Sequence, residues 1–324
     1  MSLPRRQRGI ALLVAILLVA IGTIVAASIA FQSAMAARRG IASLTFEESV
    51  LVAQGAEALA AYGLREDDPK TDSYSDSWAQ PFGPTEITPG VVLEARVEDM
   101  EGRFNLNSLI TSDGGVDQLS LDAFRRILEL LQIEPKYANQ FVDWLDPDIN
   151  PSGSEGLEDN GTTTQQPPYR TANTPVTSTS ELLALPGFGR ERYMKLAPYV
   201  AALPPGTRLN VCTASGVVLD AMLGDEINYS GLKPEELAKN REQGCFPRYA
   251  VILEAPPPNG VDGTQARGWR SSHFEEKSSY FRLASIITLG GSDFALYSLL
   301  RRDGGGSQSG QGKVRVLQRS FTAD

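Results

Sequence analysis

Histidine occurs once and cysteine twice in 324 residues. That scarcity excludes a cysteine/histidine zinc cluster, a haem-attachment motif and a disulfide-dense mini-scaffold. A nucleophile elbow, a phosphate loop and a metalloprotease helix are also missing. The lone His273 stands in a polar stretch, Arg270 to Lys277, that reads as a surface loop and leaves a thiol nucleophile without a base. No enzyme activity is expected. Positive charge is short as well: the formal net charge is −9, which argues against a phosphate-tracking surface over the whole chain. Against these absences, 42% hydrophobic and 21% charged residues are enough to build two or three ordinary domains, so wholesale disorder is excluded. Shape, membrane anchoring and carboxylate chemistry remain as modes of action.

The anchor is the plainest feature. Arg5, Arg6 and Arg8 precede Gly9, and no formal charge follows from Ile10 through Ala37. The almost wholly apolar Ile10 to Phe31 reaches about 33 Å as a helix, the thickness of a bilayer core. With the arginines ahead of it, this single span keeps the short leader in the cytoplasm and sends the rest of the chain outward. An ordinary secretory signal is the rival reading, with Ala34-Met35-Ala36 as its cleavage site. Such signals have apolar regions of about 7 to 15 residues, shorter than this one. The layout of a short basic leader ending in Gly9, followed by Ile10-Ala11-Leu12-Leu13-Val14, resembles type IV pilins and pseudopilins, which a prepilin peptidase cuts after the glycine. Cleavage there removes residues 1–9 with three arginines, so the mature chain begins at Ile10 and carries −12.

Beyond the span (10–31), Ile41, Leu44, Glu48, Val52, Leu59 and Tyr62 continue a helical period through residues 32–65. Ile10 to Leu64 would make one rod of about 80 Å, packed partly on its own head and partly on neighbouring subunits. Residues 66–103 read as a connecting loop, Glu66 to Gly90, and a first strand, Val91 to Glu98, whose apolar residues alternate with polar ones. Residues 104–245 read as a mostly helical insertion with short helices near Leu121–Leu131, Tyr137–Leu145, Ser180–Leu185, Arg190–Ala201, Ser215–Met222 and Pro234–Gln243. The long Pro151 to Pro175 segment inside it is of a length that usually carries function. Residues 246–324 read as closing strands at Tyr249–Glu254, Phe281–Leu289, Phe294–Leu300 and Val314–Phe321, with a flexible loop from Arg301 to Lys313. The fold class expected is α+β: a long N-terminal helix packed on an antiparallel sheet, interrupted by a helical domain.

Glu98 to Asn107 (EDMEGRFNLN), Asp143-Trp144-Leu145-Asp146-Pro147-Asp148, Gly156-Leu157-Glu158-Asp159, Pro168 to Asn173 (PYRTAN), Ser180-Glu181-Leu182-Leu183 and Leu209 to Ala214 (LNVCTA) occur in that order. Together they resemble the general secretion pathway protein K family, the large minor pseudopilins of the type II secretion system. The resemblance implies a tip complex with minor pseudopilins I and J, with H below them, above a fibre of the major pseudopilin. It implies dependence on the prepilin peptidase and the inner-membrane secretion platform, methylation of Ile10, and a periplasmic head. Most pilins carry glutamate at the fifth mature position, where this chain has Val14. A carboxylate inside a bilayer costs about 2.5–3.5 kcal/mol on insertion scales and needs a partner, supplied in such fibres by the subunit above. Val14 needs none, as expected of a tip subunit.

Asp143, Asp146, Asp148, Glu155, Glu158 and Asp159 place six carboxylates within 17 residues, among prolines and glycines. By residue type this is either a solvated acidic loop or a calcium site, since calcium takes six to eight oxygens from flexible loops and no EF-hand register is present. The family resemblance implies calcium. Leu182 to Leu196 resembles a helix-hairpin-helix, and Leu209 to Ala214 the start of a second. In a competence-type DNA-binding protein, Gly187, Gly189, Arg190, Arg192 and Lys195 would hold phosphate; as packing modules, the glycines serve tight turns. No nucleic acid is expected, given the acidic neighbourhood. Cys212 and Cys245 fall outside the membrane, where disulfides persist, and are expected to pair.

Overall fold

The structure is a computed structural model describing residues 8–68, 70–224, 228–231, 234–303 and 313–322. The leader residues 1–7 and residues 304–312 of the glycine-rich loop lie outside the described residues. Helix α1, Arg8–Glu66, runs for 59 residues without an internal proline, about 88 Å. Its membrane-side part is apolar all round and touches nothing: an 18-residue window has mean hydropathy 3.0 with none of it buried. Lower down, Ser49, Ala53, Ala56, Glu57 and Leu64 are buried at the three- and four-residue spacing that puts side chains on one helix face.

That face lies on a five-stranded sheet. After α1 come β1, Phe82–Thr88, and β2, Val91–Asp99. β1 is a correction to the expected loop of residues 66–90. Its proline and glycine hid it, and it survives because it is a fully exposed edge strand with register shifts against β2. The chain then leaves the sheet through β3, Phe104–Asn105, and the helices α2, Gln118–Leu130, α3, Lys136–Leu145, α4, Asp159–Thr162, and α5, Gly189–Leu196. The strands β4, Val200–Ala201, and β5, Leu209–Asn210, precede α6, Gly216–Leu223, α7, Pro234–Arg241, α8, Tyr249–Leu253, and α9, Gly263–His273. β6, Phe274–Glu275, pairs in parallel with β5. The sheet resumes with β7, Tyr280–Leu289, β8, Ser292–Asp303, and β9, Lys313–Ser320, in the order β1-β2-β7-β8-β9, every neighbour antiparallel. Gly290 and Gly291, at φ +61° and +79°, supply the two positive-φ positions that a tight turn between β7 and β8 requires.

Two further points differ from the sequence reading. Tyr249–Glu254, expected as a strand, forms the helix α8 over Tyr249–Leu253, with Ile252 buried in the core of the helical insertion. The Arg270–Lys277 stretch is not a loop: α9 runs to His273, β6 follows, and Arg270 is buried with its guanidinium donating to the carbonyls of Ala255, Pro256 and Leu223. The helical insertion therefore extends past residue 245. It departs after Asp99 and returns at Tyr280; Asp99 pairs with Phe281, and Met100 N–H donates to the Tyr280 carbonyl at 3.0 Å. Residues 100–279 thus hang from neighbouring ends of two paired strands. Their core, with Phe104, Phe124, Phe141, Phe188 and Phe274 fully buried, is separate from the core between α1 and the sheet.

A buried polar hub fixes the insertion to the head. Asp99 Oδ2 accepts from Thr213 Oγ1 at 2.6 Å, Ser278 Oγ at 2.7 Å and Asn210 Nδ2 at 2.9 Å. Glu101 Oε1 accepts from the N–H groups of Ser279 and Tyr280 at 2.7 and 2.9 Å. Burial, with the Asp99 carboxylate next to it, pushes Glu101 up to about 9. A carboxyl raised in the fold binds protons that the unfolded chain has released, so its contribution is complete below about pH 4.5 and is lost as pH rises towards 9. Glu101→Gln, which keeps an acceptor for both N–H groups, is expected to melt at least about 3 °C above the parent at pH 8.5, the shift that 1 kcal/mol gives a chain of this class. The gain should vanish near pH 5. Equal melting temperatures at both pH values would refute the assignment.

Candidate functional site

The segment after α3 folds around Asp143. This carboxylate is fully buried and accepts from the backbone N–H of Ser152 at 2.8 Å and of Leu157 at 2.5 Å, pulling the loop back on the helix. Gly156 makes the closure possible: a Cβ there would lie 2.4 Å from Asp143 Oδ2 and 2.5 Å from Ser152 N. The folded loop brings Asp146, Asp148 and Glu158 together, one carboxylate oxygen from each within 4.8 Å of the other two. Of the six carboxylates singled out in the sequence, only these three form that group. Asp143 is the loop's anchor, Glu155 is exposed in a turn, and Asp159 accepts from Thr171 N–H at 3.1 Å and faces Arg170 at 3.6 Å.

Two of the three are buried and electrostatically unsatisfied, while Asp148 is exposed and accepts from Asn150 N–H at 2.6 Å. Asp146 Oδ1 and Glu158 Oε1 are buried with no hydrogen-bond partner among the described residues. Burial, reinforced by the Asp148, Asp143 and Glu158 carboxylates, pushes Asp146 up to about 7; burial also raises Glu158, against the bond it accepts from Thr171 Oγ1. Asn173 arches over the same loop in a left-handed conformation, φ +47°, donating from N–H to the Trp144 carbonyl and from Nδ2 to that of Asp148. Its Oδ1 is another buried acceptor without a partner, a neutral oxygen that the sequence reading passed over because nothing in an Asn marks it as a ligand. Oxygen-only donors with excess negative charge suit a hard divalent cation such as calcium, and the orphaned acceptors show that the residues present fit one.

The other singled-out residues take structural places. Cys212 and Cys245 are bonded, closing a 33-residue separation. Gly187 and Gly189 sit at φ +77° and +72°, the turn that leads into α5. Arg192 grips Glu134 with two bonds of 2.8 Å and covers the Tyr137 ring, while Lys195 pairs with Glu191, so two of the three cations of the hairpin are engaged within the fold. Gly9 and Ile10 lie in the first turns of α1, and Ile10 and Val14 are exposed on the unburied span.

A protein from Pseudomonas aeruginosa described as type II secretion system protein K is 33% identical over 334 residues, covering 98% of this chain and 93% of its own. This chain belongs to the type II secretion system protein K family. The family's namesake from Klebsiella pneumoniae is 30% identical over 92% of this chain and 94% of its own, and the family model for the first domain of protein K matches residues 102–205. The crystal structure of the GspK-GspI-GspJ complex from enterotoxigenic Escherichia coli contains a chain with the same fold, at a TM-score of 0.71 and 23% identity, covering 88% of this chain and all of that one. As a protein K the chain is a minor pseudopilin, with a structural rather than a catalytic role. Its apolar N-terminal helix fits an inner-membrane anchor.

Proposed function

We propose that this protein K caps the pseudopilus, forming its tip with minor pseudopilins I and J and starting its assembly. One observation carries the reading. The insertion is fixed at the end of the head where α1 finishes: Arg302, at the end of β8, donates its N–H to the Ser279 carbonyl and its Nη1 to the Leu64 carbonyl, the last turn of the rod. A bulky insertion, residues 100–279, at that end of the rod supports the reading, because it would obstruct a subunit stacked above. Val14 adds to this, because without a carboxylate in the span the rod seeks no amine from a subunit overhead. The exposed Ile41, Leu44, Leu51, Leu59 and Tyr62 on α1 offer the apolar contacts that hold helices of neighbouring subunits. In this reading the prepilin peptidase cuts after Gly9, Ile10 is methylated, the head is periplasmic, H and the major pseudopilin fibre follow below, and the secretion platform supplies the subunits. Asp146, Asp148 and Glu158 hold calcium, and no catalysis is involved. A DNA-binding role is disfavoured by the engagement of Arg192 and Lys195.

The test is co-expression of the full chain with pseudopilins I, J and the peptidase, extraction in detergent, native mass measurement and N-terminal sequencing. One copy each of K, I and J, with K beginning at Ile10, is the expected result. A chain beginning at Ala37, or a protein K that purifies without either partner, overturns the reading.

A further inference from the structure

A second group of acids lies outside the insertion, in the turn that joins rod to head. Asp67, Asp72 and Asp76 each offer an oxygen within 4.8 Å of the other two. Asp72 is fully buried, and among the described residues its Oδ1 has no hydrogen-bond partner; Asp67 Oδ2 is a buried atom that likewise accepts no hydrogen bond from the described residues. One oxygen of Asp67 and one of Asp72 lie within 4.8 Å of each other, and among the described residues Arg302 is the one cation paired with both carboxylates. A calcium ion bonds oxygens at 2.3–2.6 Å and gathers ligands up to about 5 Å apart, which is the spacing found.

The remaining contacts are compatible with a cation. Asp72 Oδ2 accepts from Ser278 N–H at 2.7 Å and from Arg302, and both oxygens of Asp76 accept from Ser73, from its N–H at 2.6 Å and its hydroxyl at 3.2 Å. Arg302 Nη1 stands 3.7 Å from Asp67 Oδ2. Three carboxylates against one guanidinium leave two negative charges, matching a divalent ion. The site also follows directly on the C-terminus of α1, where the helix's unpaired carbonyls favour positive charge.

We propose that Asp67, Asp72 and Asp76 bind a divalent cation of the calcium type, which ties the end of the rod to the head independently of the site in the insertion. The cation would neutralise the facing carboxylates and cross-link the residue after α1 to the segment that Ser278 and Arg302 anchor.

The experiment counts calcium bound per full-length chain in detergent after equilibrium dialysis, for the parent, Asp67→Asn/Asp76→Asn, and Asp146→Asn/Glu158→Gln. Asp72 is left intact because Arg302 depends on it. The first double variant should bind one ion fewer than the parent, and the second should retain the ion at the rod's end. Equal counts for the parent and the Asp67/Asp76 variant, which would leave Arg302 and a shared proton to bridge the carboxylates, overturn the proposal. As a readout that spares every ligand, terbium replaces calcium in the Asp146/Glu158 variant and its emission is excited through tryptophan. Trp78, two residues after Asp76, is the donor, so Trp78→Phe should lower that emission several-fold; unchanged emission also overturns the proposal. The two sites are scored by separate variants, so loss of the insertion's site leaves this count readable.

Discussion

Chelating calcium from the full-length protein in detergent is expected to lower its melting temperature by about 10 °C. A ligand present at a thousandfold excess over its dissociation constant stabilises the fold by about 4 kcal/mol, and each kcal/mol moves a chain of 150–250 residues by about 2–4 °C. The physical source is the crowding of Asp146, Asp148 and Glu158, where two buried oxygens have no partner among the described residues and Asp146 is held up to about 7. Without the ion, the fold must keep Asp146 protonated or hold three carboxylates against one another. Asp146→Asn with Glu158→Gln removes both the repulsion and the ligands, so the apo melting temperature should rise towards the parent's and the larger share of the calcium shift should disappear. Differential scanning calorimetry with and without chelator checks this. A parent that melts identically in both conditions would retire the site.

The rod and the closing strands were legible because their periods are strong. Leucine and isoleucine without proline specify α1, and the alternation at Val91, Leu93 and Ala95 matches the buried face of β2. What was hidden is of two kinds. Tyr249–Leu253 has β-branched and aromatic residues that read as strand, yet it is helical, with Ile252 buried in the core of the helical insertion. The Asp117–His273 pairing at 3.5 Å and the buried Arg270 depend on α9 folding back on the start of α2 and on the chain at the ends of α6 and α8, which no local pattern announces. The acidic sites divide in the same way. Composition marked Asp143 to Asp159, but the selection of three of those six carboxylates follows from where the backbone turns at Gly156. The Asp67 to Asp76 turn looked like a polar connector because its meaning lies in Arg302 and Ser278, more than 200 residues away.

Arg302 is therefore the residue whose loss should be felt most widely. Its guanidinium is buried and donates to Asp72, to the Ser278 carbonyl at 2.8 Å and to the Leu64 carbonyl at 3.3 Å, so one side chain joins the rod's last turn, the connecting turn and the point where the insertion returns to the sheet. Arg302→Met keeps most of the volume but strands the Asp72 carboxylate in the interior, a change that costs about 3–5 kcal/mol and should lower the melting temperature by about 10 °C in the presence of chelator. Burial already pushes Asp72 up to about 7. A proton can therefore stand in for the guanidinium on the acid side, and the deficit of the variant should be large at pH 8 and shrink towards pH 5. Adding Asp72→Asn should restore stability at pH 8, because the amide needs no counter-charge while it still accepts from Ser278 N–H. A single variant that is fully stable at pH 8, or a double variant no better than the single one, would show that the rod and the insertion are held together elsewhere. Because the Arg302 contacts link rod to insertion, the single variant should also lose assembly with pseudopilins I and J at temperatures where it remains folded, and the double variant should regain it.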